Sequence, residues 1–268
     1  MTLLISLIDI FLILLLLRLL IRSNEAFYDP IYRLIYRVTD PVLKAASYVS
    51  RGASGQVLVS VTVLVLLRGL LYSSGGSNTA ASGIGMSLLQ IFKLLFQAYA
   101  VFWFISVLSG WSYRTSIQGI IDRAFHPFNR LSWRFKIRKN HYYAFILVVL
   151  FGLYILLSGL VRYLFFQGSF SPFSLALAEP FLLVLALFPF PGFFSLVIIV
   201  GALLSWVSPD PSNSIVRAIY GISEPLLAPF RRVVPNLGGF DISPIIALFC
   251  FQLIGSLGQE IASRLVGV

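Results

Sequence analysis

Charge is scarce in this sequence. Only 11% of its 268 residues are Asp, Glu, Lys or Arg, while 58% are hydrophobic. A soluble domain carries about 25% charged residues, so a single water-soluble globular core is excluded and most of the surface must meet lipid. Cysteine is almost missing. The lone Cys250 sits in an apolar run, which excludes an intramolecular disulfide. The two histidines, His126 and His141, have no Cys partner and no metal-ligand spacing, so neither a metal site nor a cofactor is expected. There is no Ser/His, Asp/Asp or HExxH arrangement, which argues against an intramembrane enzyme. Acidic residues are half as many as basic ones, 10 against 20. In a soluble protein the net charge of +10 would suggest nucleic acid. In a chain this apolar it reads as the basic cytoplasmic bias of a membrane protein, and nucleic acid is not expected as a direct ligand.

What the chain does have is a series of apolar runs. About 20 apolar residues cross a hydrocarbon core. Residues 2–21 meet that length, with Arg18 and Arg22 behind them. A signal peptide would carry its positive charge in front and a small-residue cleavage site after, so the run reads as an uncleaved first span with its N-terminus outside. Further spans are expected at Gln56–Tyr72, Ile84–Trp111, Tyr142–Gln167 and Pro244–Ser263. Phe173–Val207 is too long for one straight crossing, and Pro180, Pro189 and Pro191 interrupt it. Proline removes a donor and clashes with the preceding turn. The segment reads as one broken crossing, as an interfacial piece plus a crossing, or as two short crossings.

Charge placement sets the topology. Residues 22–51, 112–141 and 208–243 hold fifteen of the twenty Lys and Arg, and the connecting loops 73–83 and 168–172 hold none. The positive-inside rule puts the three basic segments in the cytoplasm and the other loops outside. The expected fold is an all-α, multi-pass transmembrane helical bundle of about six spans with both termini periplasmic. Its units are 1–72, 84–167 and 173–268, each a span, an amphipathic interfacial helix and a span.

Internal repetition supports those units. Ile31–Leu43 aligns without gaps on Ile215–Leu227, 184 residues later. Ile31, Arg33, Ile35, Tyr36, Pro41 and Leu43 recur as Ile215, Arg217, Ile219, Tyr220, Pro225 and Leu227. Val38/Ile222, Thr39/Ser223, Asp40/Glu224 and Val42/Leu226 keep their chemistry. A worn middle copy is suggested by Ser116, Ile117, Ile121 and Pro127. On a helix, Ile31, Leu34, Ile35, Val38 and Val42 form an apolar stripe opposite Arg33, Arg37, Asp40 and Lys44. Ile215, Ala218, Ile219, Ile222 and Leu226 repeat it. Such helices lie in the headgroup plane with their basic face on anionic phospholipid. The residues expected to face lipid or a partner are Arg33, Arg37, Lys44, Arg217, Arg231 and Arg232. Asp29, Asn213 and Ser214 are candidate N-caps, and Pro30 suits a first helical position. Pro41 and Pro225 are expected to break their helices at the same point. Farther on, Pro229 and the Gly238-Gly239 turn shape the exit, and Leu237, Phe240 and Ile242 dip into the interface. Asp241 and Ser243 cap the last span, with Pro244 in its first turn.

The stretch SPDPSNSIVRAIYGISEPLLAPFRRVVPNLGGFDISPIIALF resembles the signature of the YggT/YlmG family of small integral membrane proteins, and residues 23–44 resemble that family's first repeat. The first copy departs from the pattern where Ala45-Ala46-Ser47-Tyr48 replaces Pro-Phe-Arg-Arg. The resemblance implies a bacterial cytoplasmic (inner) membrane protein without known enzymatic activity. It further implies links to osmotic stress and ion homeostasis, with chloroplast relatives linked to thylakoid biogenesis, cofactor assembly and nucleoid distribution.

Several charges fall in or beside apolar runs: Asp9, Arg68, Lys93, Arg162, Glu179, Glu260 and Arg264. An ionisable group at the bilayer centre costs about 2.5–3.5 kcal/mol on insertion scales and therefore pairs. Arg68, Arg162 and Arg264 are read as equivalent positions near the outer ends of second spans. Asp9 is expected to pair with Arg68, and Glu179 with Arg162 or Arg264. Gln90, Lys93 and Gln97 give the third span a polar stripe. Two functions follow from these features. One is a non-enzymatic factor for membrane organisation, acting through anionic phospholipid, membrane-protein partners and, where it forms, an oligomer. The other is a small-ion channel or transporter built on the broken 173–207 segment.

Overall fold

Lipid offers the backbone no hydrogen bonds, so apolar chain immersed in it must satisfy itself, and the helix does so within one segment. The computed structural model describes residues 2–22, 25, 29–74, 79–109, 116–166, 173–207, 210, 213–234 and 241–266. Among them the regular structure is all helical: α1 (Thr2–Leu20), α2 (Pro30–Ala46), α3 (Ala53–Ser74), α4 (Ala80–Ser109), α5 (Ser116–Arg134), α6 (Tyr142–Phe165), α7 (Phe173–Leu185), α8 (Phe193–Val207), α9 (Ser214–Val233) and α10 (Ser243–Val266), with a 3-10 turn at Lys139–His141. Five of these, α1, α3, α4, α6 and α10, are long and apolar enough to cross a membrane, whereas α7 and α8 are each too short. The Gly238-Gly239 turn, Leu237 and Phe240 lie outside the described residues.

The chain divides into two compact units. The first comprises residues 1–95 and 156–171. Its core joins Ile8 and Leu12 of α1, Val65 of α3 and Ile91 of α4, and a second cluster joins Leu15, Leu43 and Val57. The opposite face of α1 is just as apolar. Leu3, Leu7 and Ile10 are 83%, 63% and 60% exposed. A helix apolar all round, with one side against protein and the other uncovered, suits lipid. α2 packs on both α1 and α3.

The second unit comprises residues 96–155 and 172–268. Its core is aromatic. Phe194 meets Phe104, Phe188 and Phe251 edge-on or tilted, with ring centroids 4.8–6.3 Å apart, an arrangement that favours the ring quadrupoles. The break between α7 and α8 lies against α10 in a fixed order. Leu185 meets Gly258, Pro189 meets Gly255, and Phe194 meets Phe251. Between them, the Phe190 N–H donates to Gln252 Oε1 at 3.2 Å. The end of α7 thus lies against Gly258, and the break and the first turn of α8 lie against Gly255, Gln252 and Phe251. A Cβ on Gly255 would overlap the Pro189 ring, and glycine there is what admits the proline.

The prolines expected to break α2 and α9 do not. α2 continues through Pro41 to Ala46, and α9 continues through Pro225 and Pro229 to Val233. Each proline removes one intrahelical donor, but α2 is also fastened from outside next to that point, where Arg18 donates to the Tyr36 carbonyl. In α9, Pro225 is itself buried, followed by buried Leu226 and Leu227, so packing keeps the helix intact across the lost bond.

Candidate functional site

The amphipathic helix α2 starts where the sequence marks a start. The Asp29 carboxylate accepts from the Ile31 N–H at 2.9 Å, and Pro30 occupies the first turn. Its surface splits into three arcs rather than two. Tyr32, Ile35, Thr39, Leu43 and Ala46 are buried against protein. Of the expected apolar stripe, only Ile35 joins them. Leu34 and Val38 remain 58% and 40% exposed, with Ile31 and Val42 half-buried beside them. At about 100° per residue, this uncovered apolar arc lies between the buried arc and the cations. Arg33, Arg37 and Lys44 are exposed on the third arc.

One arginine fixes this helix. From the end of α1, Arg18 Nη1 reaches Thr39 Oγ1 at 2.6 Å, Asp40 Oδ1 at 2.6 Å and the Tyr36 carbonyl at 3.2 Å. Its guanidinium also stands 4.1 Å from the centroid of the Tyr36 ring. Thr39 is fully buried and Arg18 is 17% exposed, so these are partly desolvated, charge-assisted bonds, worth roughly 1.5–3 kcal/mol. Sequence reasoning treats Arg18 only as a flanking charge. Its one signal is its place near the C-terminal end of an apolar run.

α9 is capped like α2: Asn213 Oδ1 accepts from the Ile215 N–H at 2.9 Å. Its acid is held differently. Arg231, in the last turn of α9, pairs with Glu224 at 2.5 Å and with Asp241 at 2.7 Å. Asp241 in turn accepts from the Ser243 N–H at 2.9 Å, at the start of α10. A carboxylate suits the positive end of a helix dipole and an arginine the negative end, so one guanidinium joins two helix termini. Burial alone would lower the Arg231 pKa, but hydrogen bonds and charge from Glu224 and Asp241 raise it. Burial would likewise raise the Asp241 carboxyl, yet Ser243 and Arg231 hold it below its ordinary value. Arg217 and Arg232 are exposed, Pro229 is exposed, and Pro244 is buried at the start of α10.

A third charge site lies inside the first unit. Arg68 is completely buried. Its Nη1 pairs with Asp9, its Nε donates to Ser87 Oγ at 3.0 Å and its Nη2 to the Ser87 carbonyl at 2.5 Å. Ser87 Oγ passes a hydrogen bond on to the Val65 carbonyl at 2.7 Å. α1, α3 and α4 are thereby tied at one point, as the sequence expectation for Asp9 and Arg68 has it. Arg264 is not the equivalent of Arg68. It pairs with Glu260 one turn earlier on its own helix, with both side chains largely exposed. The 184-residue offset instead carries Arg68 to Gln252, which holds Phe190 in the α7–α8 break. Glu179 and Arg162 are half-buried and fall in different units. On the polar stripe of α4, Gln97 donates to the Leu183 carbonyl at 3.3 Å. Among the described residues, no group of three or more His, Cys, Asp or Glu gathers as a metal site.

The second half of α7, the break, α8, α9 and most of α10 fall within a stretch that a family model matches: residues 180–262 match CCB3/YggT. Over these residues, just under a third of its length, the chain is similar to the YggT family. Among curated relatives, an uncharacterized protein of Pseudomonas aeruginosa is 45% identical over 64 residues, which is 24% of this chain and 32% of the relative. One of Haemophilus influenzae is 39% identical over 69 residues, 26% of this chain and 38% of the relative. The Escherichia coli K12 protein called uncharacterized protein YggT is 40% identical over 58 residues, 22% of this chain and 30% of the relative. The chain thus spans about a third of the length of the curated relatives it matches. No solved structure matches it. The YggT match takes in Glu224, Arg231, Asp241 and Gln252 but not Arg18, Arg68 or the basic segment around α5.

Proposed function

We propose that this chain is a non-enzymatic protein of the bacterial cytoplasmic membrane that organises lipid and partner proteins through in-plane helices. The observation that carries the reading is the three-arc surface of α2. One arc is seated on protein, one is apolar and uncovered, and one is cationic. An in-plane helix needs this combination, because its apolar side enters the acyl boundary while its cations meet phosphate. Each juxtamembrane Lys or Arg adds about 1 kcal/mol of attraction to an anionic leaflet. In α9, exposed Ile215, Arg217 and Arg232 supply similar elements. The family resemblance adds membrane assembly, osmotic stress and ion homeostasis as the processes served.

The topology we favour has six crossings in three units, with basic segments cytoplasmic and both termini periplasmic. That α7 and α8 are each too short to cross alone supports counting 173–207 as one broken crossing. Alkaline-phosphatase fusions test it: a C-terminal fusion should be active and one after Arg232 inactive, and the reverse result discards the topology. Lipid binding is tested by exchanging Arg37, Lys44, Arg217 and Arg232 for Gln and measuring anionic phospholipid that co-purifies. Unchanged lipid would refute the reading.

A second reading, a small-ion channel or transporter, draws on the α7–α8 break, where Ser195 and Gln252 bring polar atoms to unwound chain. Flux in proteoliposomes that Glu179→Ala abolishes would favour it over the first.

A further inference from the structure

The most cationic surface of the chain lies outside the family match, at the corner between α5 and α6. Between Asp122 and Glu179 there is no acidic residue at all. Within that stretch Arg130, Arg134, Lys136, Arg138 and Lys139 are all exposed, and among the described residues none of the five forms an ion pair. Two large aromatics stand uncovered among them, Trp133 at 85% and Phe135 at 63% exposure.

The corner is built rigidly. Tyr142 donates to Asn129 Oδ1, Trp103 Nε1 donates to the Tyr143 carbonyl at 2.8 Å, and the Phe135 and Phe145 rings lie 6.3 Å apart. α5 ends in a double hydrogen bond, from the Lys136 N–H to the Trp133 carbonyl and from the Ile137 N–H to the Ser132 carbonyl. That pattern places Lys136 at the residue after the cap, in the left-handed region with φ 51°. Glycine is the residue that takes this conformation without strain. Here a lysine occupies it and carries its charge into the corner. The span-length apolar helix begins at once, at Lys139, so the cations and Trp133 sit at the depth where phosphate and interfacial aromatics meet.

We propose that the α5–α6 corner is a binding site for the phosphate headgroup of anionic phospholipid, with Arg134, Lys136 and Arg138 on the phosphate and Trp133 in the acyl boundary. It rests on the same membrane placement as the function proposed above but uses none of its residues. A planar guanidinium fits two phosphate oxygens at once, and from residue 123 to residue 178 the sequence holds no carboxylate.

The test uses the full chain in vesicles of phosphatidylcholine, doped with brominated phosphatidylglycerol or, separately, with brominated phosphatidylcholine. The difference in emission between the native chain and Trp133→Phe isolates Trp133 from the other tryptophans. Brominated phosphatidylglycerol should quench this signal more than brominated phosphatidylcholine does. The excess should shrink about fivefold for each cation removed in Lys136→Gly or Arg138→Gln, the equivalent of about 1 kcal/mol per cation. It should persist in Lys136→Arg, and inorganic phosphate at constant ionic strength should leave it intact. Lys136→Gly should also raise the unfolding temperature by relieving the left-handed lysine, so weaker lipid contact in that variant cannot be ascribed to unfolding. Equal quenching by the two lipids in the native chain would overturn the proposal. So would an excess that survives Lys136→Gly and Arg138→Gln yet vanishes in Arg217→Gln with Arg232→Gln, an outcome that would leave the α2 and α9 reading standing.

Discussion

The helices α2 and α9 share a thirteen-residue pattern, and each keeps an acid before its proline. They differ in where the cation comes from. In α2, Asp40 is held by Arg18 from the preceding helix. In α9, Glu224 is held by Arg231 of its own last turn, which also grips Asp241 at the start of the following helix. The 184-residue offset carries Arg18 to Ala202 and Arg231 to Ser47, so each copy lacks the other's arginine. The buried hydroxyls report the same exchange. Thr39 receives Arg18, while Ser223 is closed off by Gly201, where a Cβ would stand 2.8 Å from Ser223 Oγ. Among the described residues, Ser223 Oγ has no hydrogen-bond partner. What persists is a neutralised acid at a fixed point of an amphipathic helix. What varies is whether that helix is fastened to the span before it or the span after it.

The largest effect should come from the site that only the first region has. Arg68→Leu strands Asp9 beside a buried, unpaired position and should cost about 3–5 kcal/mol, read as lost folding yield in detergent. Gln252→Leu, at the same register in the second region, should cost about 1–2 kcal/mol, because only a neutral hydrogen bond is lost. Equal losses would dissolve the contrast between the regions. Next, Arg18→Ala should destabilise the first unit by roughly 1.5–3 kcal/mol. Adding Ser47→Arg, which moves the cation to the position of Arg231, should restore part of that loss in a thermal unfolding measurement. No recovery would mean that the acid does not care about neutralisation as such.

The smallest effect concerns pH. The Asp241 carboxyl titrates below its ordinary value in the folded protein, so the stability it contributes is fully present above its unfolded pKa. That contribution is lost as pH falls through the lowered folded value. Amide exchange at Ser243 should therefore stay protected through the usual carboxylate range and open only in stronger acid. Asp241→Asn should abolish this pH dependence, while Asp40 in the first region should leave Ser243 unaffected.

Much of this was readable from residue order. The apolar runs, the caps at Asp29, Asn213 and Asp241, and the Asp9–Arg68 pair all follow from local chemistry or from the cost of a lone charge in lipid. The rest depends on reach across helices. Pro41 and Pro225 look like helix ends because a missing donor is visible in sequence, whereas the Arg18 side chain and the packing around Pro225 that compensate for it are not. Arg264 resembles Arg68 by its place near the end of a span. At the exposed end of α10, however, it pairs with Glu260 on its own helix, whereas Arg68 is buried and reaches across to two neighbouring helices. The two faces of α2 became three arcs because periodicity tells apolar from polar but not protein from lipid.

The seating of Pro189 on Gly255 bears on how this molecule can move. Ring and groove interlock, so the α7–α8 segment cannot glide along α10 by small increments. Any gating displacement there would have to lift the ring clear and set it down about 5.4 Å away, one helical turn. The next small residue on that face, Gly258, is already filled by Leu185. The pair behaves as a key in a slot, and a conducting state would need the slot emptied first.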